Sequence, residues 1–488
     1  MYTLQDYYED IKTKDLSSIW DYILQNDIPI QSPDFAITHL GELYEDGLAR
    51  TNKIAKKEMG KYYTPIDVAN VMAHWFINLP GENICDVCCG VGNLIIQVLA
   101  QYSFDEAKVL IETGKIYLYD IDPIAAKICE YTLNTLYQTN GAHVIIGDFL
   151  TSNIKLPDNA KVIANPPYGK ISICVNDWDL NNIISDGKDF YTAIWYKILQ
   201  QSISSCIITP HSFMYADKFK SFRLAMNNYS GEIYSFDNVP GNIFNGQKYG
   251  VFNTNNANSV RAAITVTQPH QYHGYKTSCF IRFSSDERTS VLVNSYLEQL
   301  LTDEIQIITD QHPYYYRYMI NDKLSNLWLS QPTHIQDLLS LTPNQFKLEV
   351  PNTCRYFTVA SAKTLHRTGK IILYAKNAQS FLQLYAFINS SFCYYYHRLC
   401  NGGITYPTGL LKEMPIILVD IEQLKPIVKR MLQNENKYVI IKRNAGEDQE
   451  NIKFPEEWRQ ELNKIYCNAL NCQFDSKFFE TIHSNSKP

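Results

Sequence analysis

Between residues 83 and 168, three short apolar runs each end in a carboxylate, and a fourth ends in an amide followed by two prolines. The runs are Asn83-Ile84-Cys85-Asp86-Val87, Lys115-Ile116-Tyr117-Leu118-Tyr119 before Asp120, His143-Val144-Ile145-Ile146 before Gly147-Asp148, and Val162-Ile163-Ala164 before Asn165. Short apolar runs bounded by turn residues read as buried strands. Helical patterns lie between them, so the chain alternates strand and helix around a largely parallel sheet. Two consecutive prolines cannot continue a central strand, so the chain must leave the sheet at Asn165-Pro166-Pro167-Tyr168. Open α/β sheets take their ligands outside the carboxyl ends of the strands, and all four polar tips fall on that edge.

Asn-Pro-Pro-Tyr suits work on a planar amine. The lone pair of an exocyclic NH2 on adenine is delocalised into the ring, which makes it a poor nucleophile. One acceptor on each N–H draws the lone pair back onto nitrogen. The Asn165 side-chain oxygen and the Pro166 carbonyl can be those acceptors, with proline fixing the backbone. Tyr168 can stack on a base taken out of its helix. A strand-ending turn with a surface tyrosine is the alternative without chemistry.

The other tips suit a nucleoside with an amino-acid tail. Asp86 precedes the tight turn Cys88-Cys89-Gly90-Val91-Gly92-Asn93, whose glycines admit a close approach of backbone to ligand; a carboxylate there suits an ammonium group. Asp120, followed by Ile121, can take a ribose diol, and Asp148-Phe149 can meet an adenine amine and ring. Upstream, Tyr63-Thr64-Pro65 opens an amphipathic helix, with Thr64 expected as N-cap and Pro65 at the first helical position. Free N–H groups and the Thr64 hydroxyl at such a terminus favour an anion. Each carboxylate taken alone reads equally as a helix cap.

Residues 58–270 resemble the N6-adenine DNA methyltransferases that use S-adenosylmethionine, in the class with the cofactor half first and the target-recognition region last. The resemblance rests on Tyr63-Thr64-Pro65, on Asp86, Gly90 and Gly92, on Asp120, on Asp148-Phe149 and on Asn165 to Tyr168. The sequence departs from the family at Val87-Cys88-Cys89 and in having Asp120 where Glu is commoner. The resemblance implies a Rossmann-like α/β fold with a seven-stranded methyltransferase sheet, closed by strands at 232–236 and 260–266. It implies cofactor contacts at Tyr63, Thr64, Asp86, Gly90, Gly92, Asn93, Asp120, Ile121, Asp148 and Phe149, and catalysis by Asn165, Pro166, Pro167 and Tyr168. A second aromatic for the extruded base is expected between the closing strands, at Phe244. The expected partners are double-stranded DNA and a restriction endonuclease or another defence-system subunit. The alternatives are a modification subunit of a larger restriction or defence complex, or an N-methyltransferase acting on RNA or on protein glutamine.

The 488 residues, 45% hydrophobic, suffice for several cores, and the net charge of −6 confines any DNA-binding face to a local basic patch. The expected division is a helical N-terminal arm at 1–56, a catalytic domain at 57–285, an α+β target-recognition domain at 286–430 and a helical segment at 431–488. Within the third, arginines and lysines interleave with aromatics at 314–318, 355–357, 363–367 and 394–398, a pattern that groove contacts would need. No apolar run is long enough to span a bilayer. Twelve scattered cysteines without metal-ligand spacing read as thiols of a cytoplasmic protein with no metal.

Overall fold

The computed structural model describes residues 31–32, 35–36 and 64–483, apart from 153, 172, 174, 176, 239–240, 245–259, 311, 317–321, 355, 402, 404 and 445–446. Most of the expected N-terminal arm, and Tyr63, lie outside the described residues. The chain divides into two compact units, Met1–Tyr316 and Arg317–Pro488.

The first unit is built on helix α1 (Ile66–Ile77), strand β1 (Asn83–Val87), helices α2 (Asn93–Leu99) and α3 (Phe104–Glu112), strand β2 (Ile116–Asp120), helix α4 (Pro123–Leu136) and strands β3 (Val144–Ile146) and β4 (Ala160–Ala164). Helices α5 (Trp178–Gly187) and α6 (Phe190–Gln201) follow, then strands β5 (Ser204–Pro210), β6 (Ser230–Phe236), β7 (Ala262–Thr267) and β8 (Gly274–Ile281). They form one eight-stranded sheet in the order β8-β6-β7-β5-β4-β1-β2-β3. Strands β1 to β5 run parallel to one another, and β7 is antiparallel to both β5 and β6. The seven strands expected from the sequence are present, and β8 adds an eighth, parallel to β6.

The chain winds outward from β1 through β2 to β3, then returns to lay β4 on the other side of β1. That reversal opens a crevice between the carboxyl ends of β1 and β4. Apolar side chains from both sheet faces fill two cores. One buried cation interrupts β4: Lys161 points its ammonium at the carbonyls of Phe76, Ile77 and Leu79, 3.2–3.4 Å away. These are the orphan carbonyls at the end of α1, where a cation is favourable.

The polar stretch 170–188, which with Gly187 reads as a loop in the sequence, holds helix α5, whose N-cap Asp177 accepts from the Leu180 amide at 2.9 Å. Residues 286–301, whose apolar positions Val291, Leu297, Leu300 and Leu301 read as one helix in the sequence, form two short ones, Arg288–Val291 and Asn294–Glu298. Residues past the expected boundary at 285 belong to the first unit. Cys279 donates to the Leu300 carbonyl, and Tyr275 and Gln306 exchange backbone hydrogen bonds, so this stretch covers the edge of β8.

The second unit contains an antiparallel pair, β9 (Lys347–Pro351) and β10 (Lys370–Tyr374), then helices α7 (Ala378–Asn389), α8 (Ser391–Cys400) and α9 (Ile421–Asn434). A hairpin of β11 (Val439–Asn444) and β12 (Glu447–Ile452) leads to helices α10 (Glu456–Ala469) and α11 (Ser476–His483). The boundary expected at 430/431 falls inside α9. Every residue of α8 is buried, Tyr394 to Arg398 included. Those aromatics pack against α7, α10, α11 and Trp328, as in the Phe392–Phe479 and Trp328–Phe392 pairs at 5.4 and 5.1 Å. Tyr315 is also fully buried. These rings are core, and the groove contacts expected of them are not available.

Candidate active site

A cavity of about 290 Å³ lies at the carboxyl edge of β1, β2 and β4. Ligand pockets for small molecules begin at about this size, roughly 300 Å³. Of the residues expected to meet a cofactor, Thr64, Gly90, Asn93, Asp120, Ile121, Asp148 and Phe149 line it, and Asn165 and Pro167 of the tetrapeptide complete one wall. Asp86, Gly92, Pro166, Tyr168 and Phe244 are not among the lining residues.

The turn after β1 is shaped by positive φ values at Cys88 (65°), Gly90 (56°) and Gly92 (93°). At Gly92 space adds to this, since a Cβ there would sit 2.8 Å from the Cys129 Sγ. The turn presents the Gly90 amide to the Asp120 Oδ2 at 2.7 Å, while Asp120 Oδ1 accepts from the Asp122 amide at 2.8 Å. A carboxylate oxygen can accept more than one hydrogen bond, as binding a diol requires. The helix-capping role falls to Asp122, which accepts from the amides of Ile124 and Ala125. Asp148 is held by the Leu150 amide and the Thr151 hydroxyl at 2.9 and 2.7 Å. Beside it, Lys197 of α6 lies 4.6 Å over the Phe149 ring and donates to the Phe149 carbonyl.

Asp86 is fully buried, and neither carboxylate oxygen has a hydrogen-bond partner of good geometry. Burial is the main cause that raises its pKa well above the ordinary carboxylate range; the Asp120 charge adds to this, and the Ile95 amide opposes it. An uncompensated buried carboxylate is costly unless protonated or paired with a cation. The site therefore joins an orphaned acid, diol-competent oxygens at Asp120 and apolar walls from Leu94, Phe149 and Ile194, and this donor set fits a nucleoside carrying an ammonium and a carboxylate.

The tetrapeptide begins one residue past β4. Asn165 Nδ2 donates to the Thr64 Oγ1 at 3.0 Å, and the Tyr168 hydroxyl donates to Asn165 Oδ1 at 2.8 Å. Thr64 is thus not the helix cap expected of it: α1 has no side-chain cap, because the threonine hydroxyl is engaged with the Asn165 amide. Tyr168 packs edge-on between Tyr191 and Phe244, with ring centroids 6.2 and 5.9 Å away. Phe244 is fully buried. Its loop is held by Arg288, whose guanidinium donates to the carbonyls of Asn242 and Ile243 at 2.9 and 2.8 Å and pairs with Asp67 of α1.

Sequence reasoning did not single out Tyr119, Phe190 and Ile194 of the lining. Phe190 and Ile194 are four apart on α6, a helical spacing that the sequence displays but that says nothing about which face meets a ligand.

A doubly wound sheet with a nucleoside-sized cavity at its switch point, flanked by Asn-Pro-Pro-Tyr, defines a methyltransferase-type α/β fold. Residues 36–216 match the family described as N-6 DNA Methylase, so the resemblance read from the motifs is shown for this segment, which takes in β1 to β5 and every lining residue. Over 136 residues the chain is 33% identical to the Type II methyltransferase M.VspI of Vibrio sp. (strain 343), an alignment covering 27% of this chain and 30% of that protein. Over 148 residues it is 26% identical to the Type I restriction enzyme MjaIX methylase subunit of Methanocaldococcus jannaschii, covering 30% of this chain and 25% of that one. The alignments thus span less than a third of these curated relatives. Among solved structures, a nuclease-deletion mutant of the Type ISP restriction-modification enzyme LlaGI, in complex with a DNA substrate mimic, overlays with a TM-score of 0.48 at 10% identity, covering 87% of this chain and 60% of that one.

Proposed function

We propose that the chain methylates the N6 amine of adenine in DNA with S-adenosylmethionine as methyl donor, in a restriction-modification or phage-defence setting. The observation that carries this is the placement of Asn165: it lines the nucleoside-sized cavity at the end of β4, as the first residue of Asn-Pro-Pro-Tyr. Thr64, Asn93, Asp120, Asp148 and Phe149 would hold the cofactor, with Asp86 as the buried counter-charge to its ammonium. When bound, S-adenosylmethionine supplies an electrophilic methyl on a sulfonium. Asn165 Oδ1 and the Pro166 carbonyl each accept one N–H of the target amine, so its lone pair leaves the ring and points at the electrophile. Tyr168 would hold the extruded base by stacking; Phe244, expected as a second stacking ring, is fully buried and instead packs against Tyr168. The free thiols of the eleven described cysteines suit a reducing compartment, the cytoplasm.

The test is transfer of tritiated methyl to duplex DNA by the purified chain, followed by modified-base sequencing. Asn165→Ala is expected to keep cofactor affinity and lower transfer at least about a hundredfold, the scale of losing one preorganised polar contact to the reacting group. Near wild-type transfer by that variant would refute the mechanism. A second reading, a modification subunit that needs partners, is favoured by the similarity to a Type I methylase subunit. Under it, the chain alone binds cofactor but transfers nothing until a specificity subunit is added.

A further inference from the structure

Directly after the catalytic tetrapeptide the chain bends at Gly169 and pairs with the segment that opens α6. Phe190 donates to the Gly169 carbonyl at 2.9 Å and Ile171 to the Lys188 carbonyl at 3.1 Å. Between those two bonds Lys170 and Asp189 face each other as an antiparallel bridge. Two positions away on each segment Tyr168 meets Tyr191, with ring centroids 6.2 Å apart. The two contacts are in step along the paired segments, so Lys170 stands on the same face as Tyr168, about 7 Å further on as extended residues two apart are.

Lys170 is exposed. The carboxylate opposite it is already engaged: Asp189, 9% exposed, pairs with Lys218. One carboxylate thus stands beside two lysines, and among the described residues Lys170 has no ion pair of its own. A solvated lysine is ordinary on a protein surface. Its place is what matters here, one step along the face that carries the tyrosine expected to hold the base. Extrusion swings a nucleotide out about its backbone, and its phosphates move with it. A base lying on Tyr168 stays tied through its ribose to those phosphates, within reach of a lysine side chain at this position.

We propose that Lys170 is a substrate-binding residue that grips a phosphate flanking the extruded adenosine and so holds the DNA backbone in its extruded course. This rests on the reading of the site as a DNA methyltransferase. A lysine suits the task as a point charge, and a phosphate carries no base identity to read. Lys170 therefore adds affinity at every sequence and selects none.

The test combines one substitution with one uncharged linkage. Duplexes carrying the site mapped by modified-base sequencing are made with a methylphosphonate, which removes one negative charge, on the 5′ or the 3′ side of the target adenosine. Affinity for wild type, Lys170→Gln and Lys170→Arg is titrated with S-adenosylhomocysteine bound, from about 0.05 to 0.2 M salt. Losing one phosphate contact is expected to weaken binding about fivefold near 0.15 M salt and to lower the slope of log affinity against log salt by about 0.9. Lys170→Gln shows both effects on ordinary duplex, while Lys170→Arg, which keeps the charge, stays within about twofold of wild type. One of the two methylphosphonate duplexes reproduces the loss in wild type and costs Lys170→Gln no more than about twofold further, as groups in contact are not additive. Cofactor affinity stays level, since Lys170 is not among the cavity-lining residues. An unchanged salt slope in Lys170→Gln, or methylphosphonate losses as large in Lys170→Gln as in wild type, overturns the proposal. A wild-type chain indifferent to both linkages overturns it without any variant. Failure of the wild-type chain to bind or methylate DNA, alone or with added subunits, overturns instead the reading on which it rests.

Discussion

Asn165 in the resting chain is already occupied. The Tyr168 hydroxyl sits 2.8 Å from Asn165 Oδ1, the atom that has to accept an N–H of the target amine. The tyrosine ring stands edge-on to Phe244 rather than open as a stacking platform. Base entry must therefore break one neutral hydrogen bond, a net cost of about 0.5–1.5 kcal/mol, and turn the ring. Tyr168→Phe removes the competing hydroxyl and keeps the ring, so kcat/KM for DNA is expected to stay level or rise by up to about tenfold. Tyr168→Ala also loses base stacking, about 1–3 kcal/mol, and is expected to fall by roughly 10- to 100-fold. Steady-state kinetics on the two variants separates the roles; equal impairment would show that the hydroxyl itself is needed. The identity of these residues was legible in the sequence because four chemistry-bearing positions followed four apolar runs. The hydroxyl's place on Asn165 was not, since it depends on which rotamer the packing of Tyr191 and Phe244 leaves open.

At the scale of elements, one buried guanidinium joins three pieces of the first unit. Arg288 connects the carbonyls of the Phe244 loop to Asp67 in the first turn of α1, with its own side chain 4% exposed. Arg288→Ala leaves a carboxylate and two carbonyls without their partner, and breaking such a pair costs roughly 3–5 kcal/mol. Thermal melting should register that loss, and KM for DNA should rise more than the dissociation constant for the cofactor, because Phe244 is behind Tyr168 and outside the cavity lining. In the second unit, α11 docks through His483. Its Nδ1 meets the Tyr356 carbonyl and its Nε2 the Ser391 hydroxyl, both at 2.8 Å, while Ser391 also accepts from Asn463. Burial first, then the positive Arg459, lowers the His483 pKa to about 3, against the pull of the Tyr356 carbonyl. The unfolded histidine takes its proton near pH 6.5. The unfolded state thus binds more protons between these values, and stability falls as pH drops from about 6.5 toward 3. His483→Gln is expected to flatten the dependence of melting temperature on pH over that window; an unchanged slope would assign it to other groups. Neither contact was visible in sequence, for Arg288 is 221 residues from Asp67.

For the whole molecule, every residue that lines the nucleoside cavity belongs to the unit Met1–Tyr316. A chain truncated after Tyr316 is therefore expected to bind S-adenosylhomocysteine within about threefold of the full chain, since no direct contact is removed. Calorimetry on the two proteins measures it, and a loss of more than about tenfold would show that the second unit contributes to the cofactor site. The division at 316 rather than 285 has a simple cause. The apolar positions Val291, Leu297, Leu300 and Leu301 read as a helix bridging to the next domain, so the sequence puts the boundary before them. In the fold residues 286–306 satisfy the open edge of β8 by hydrogen bonds from Tyr275 and Cys279, which an exposed strand edge requires.

The sequence by itself determined the strands that build the sheet and the identity of the cavity-lining acids, because strand length, turn residues and periodicity are local signals; their order across the sheet came only from the fold. It did not distinguish the aromatics of α8 from surface residues. A helix buried on all sides shows no polar face, and tyrosine and arginine serve core and groove equally well. The tertiary structure alone decided that Tyr394 to Arg398 are interior, that Thr64 bonds Asn165 rather than capping α1, and that Asp86 is buried with no hydrogen bond of good geometry among the described residues. Each of these depends on which distant segment fills the space beside the residue, and packing between segments far apart in sequence leaves no trace in any local pattern.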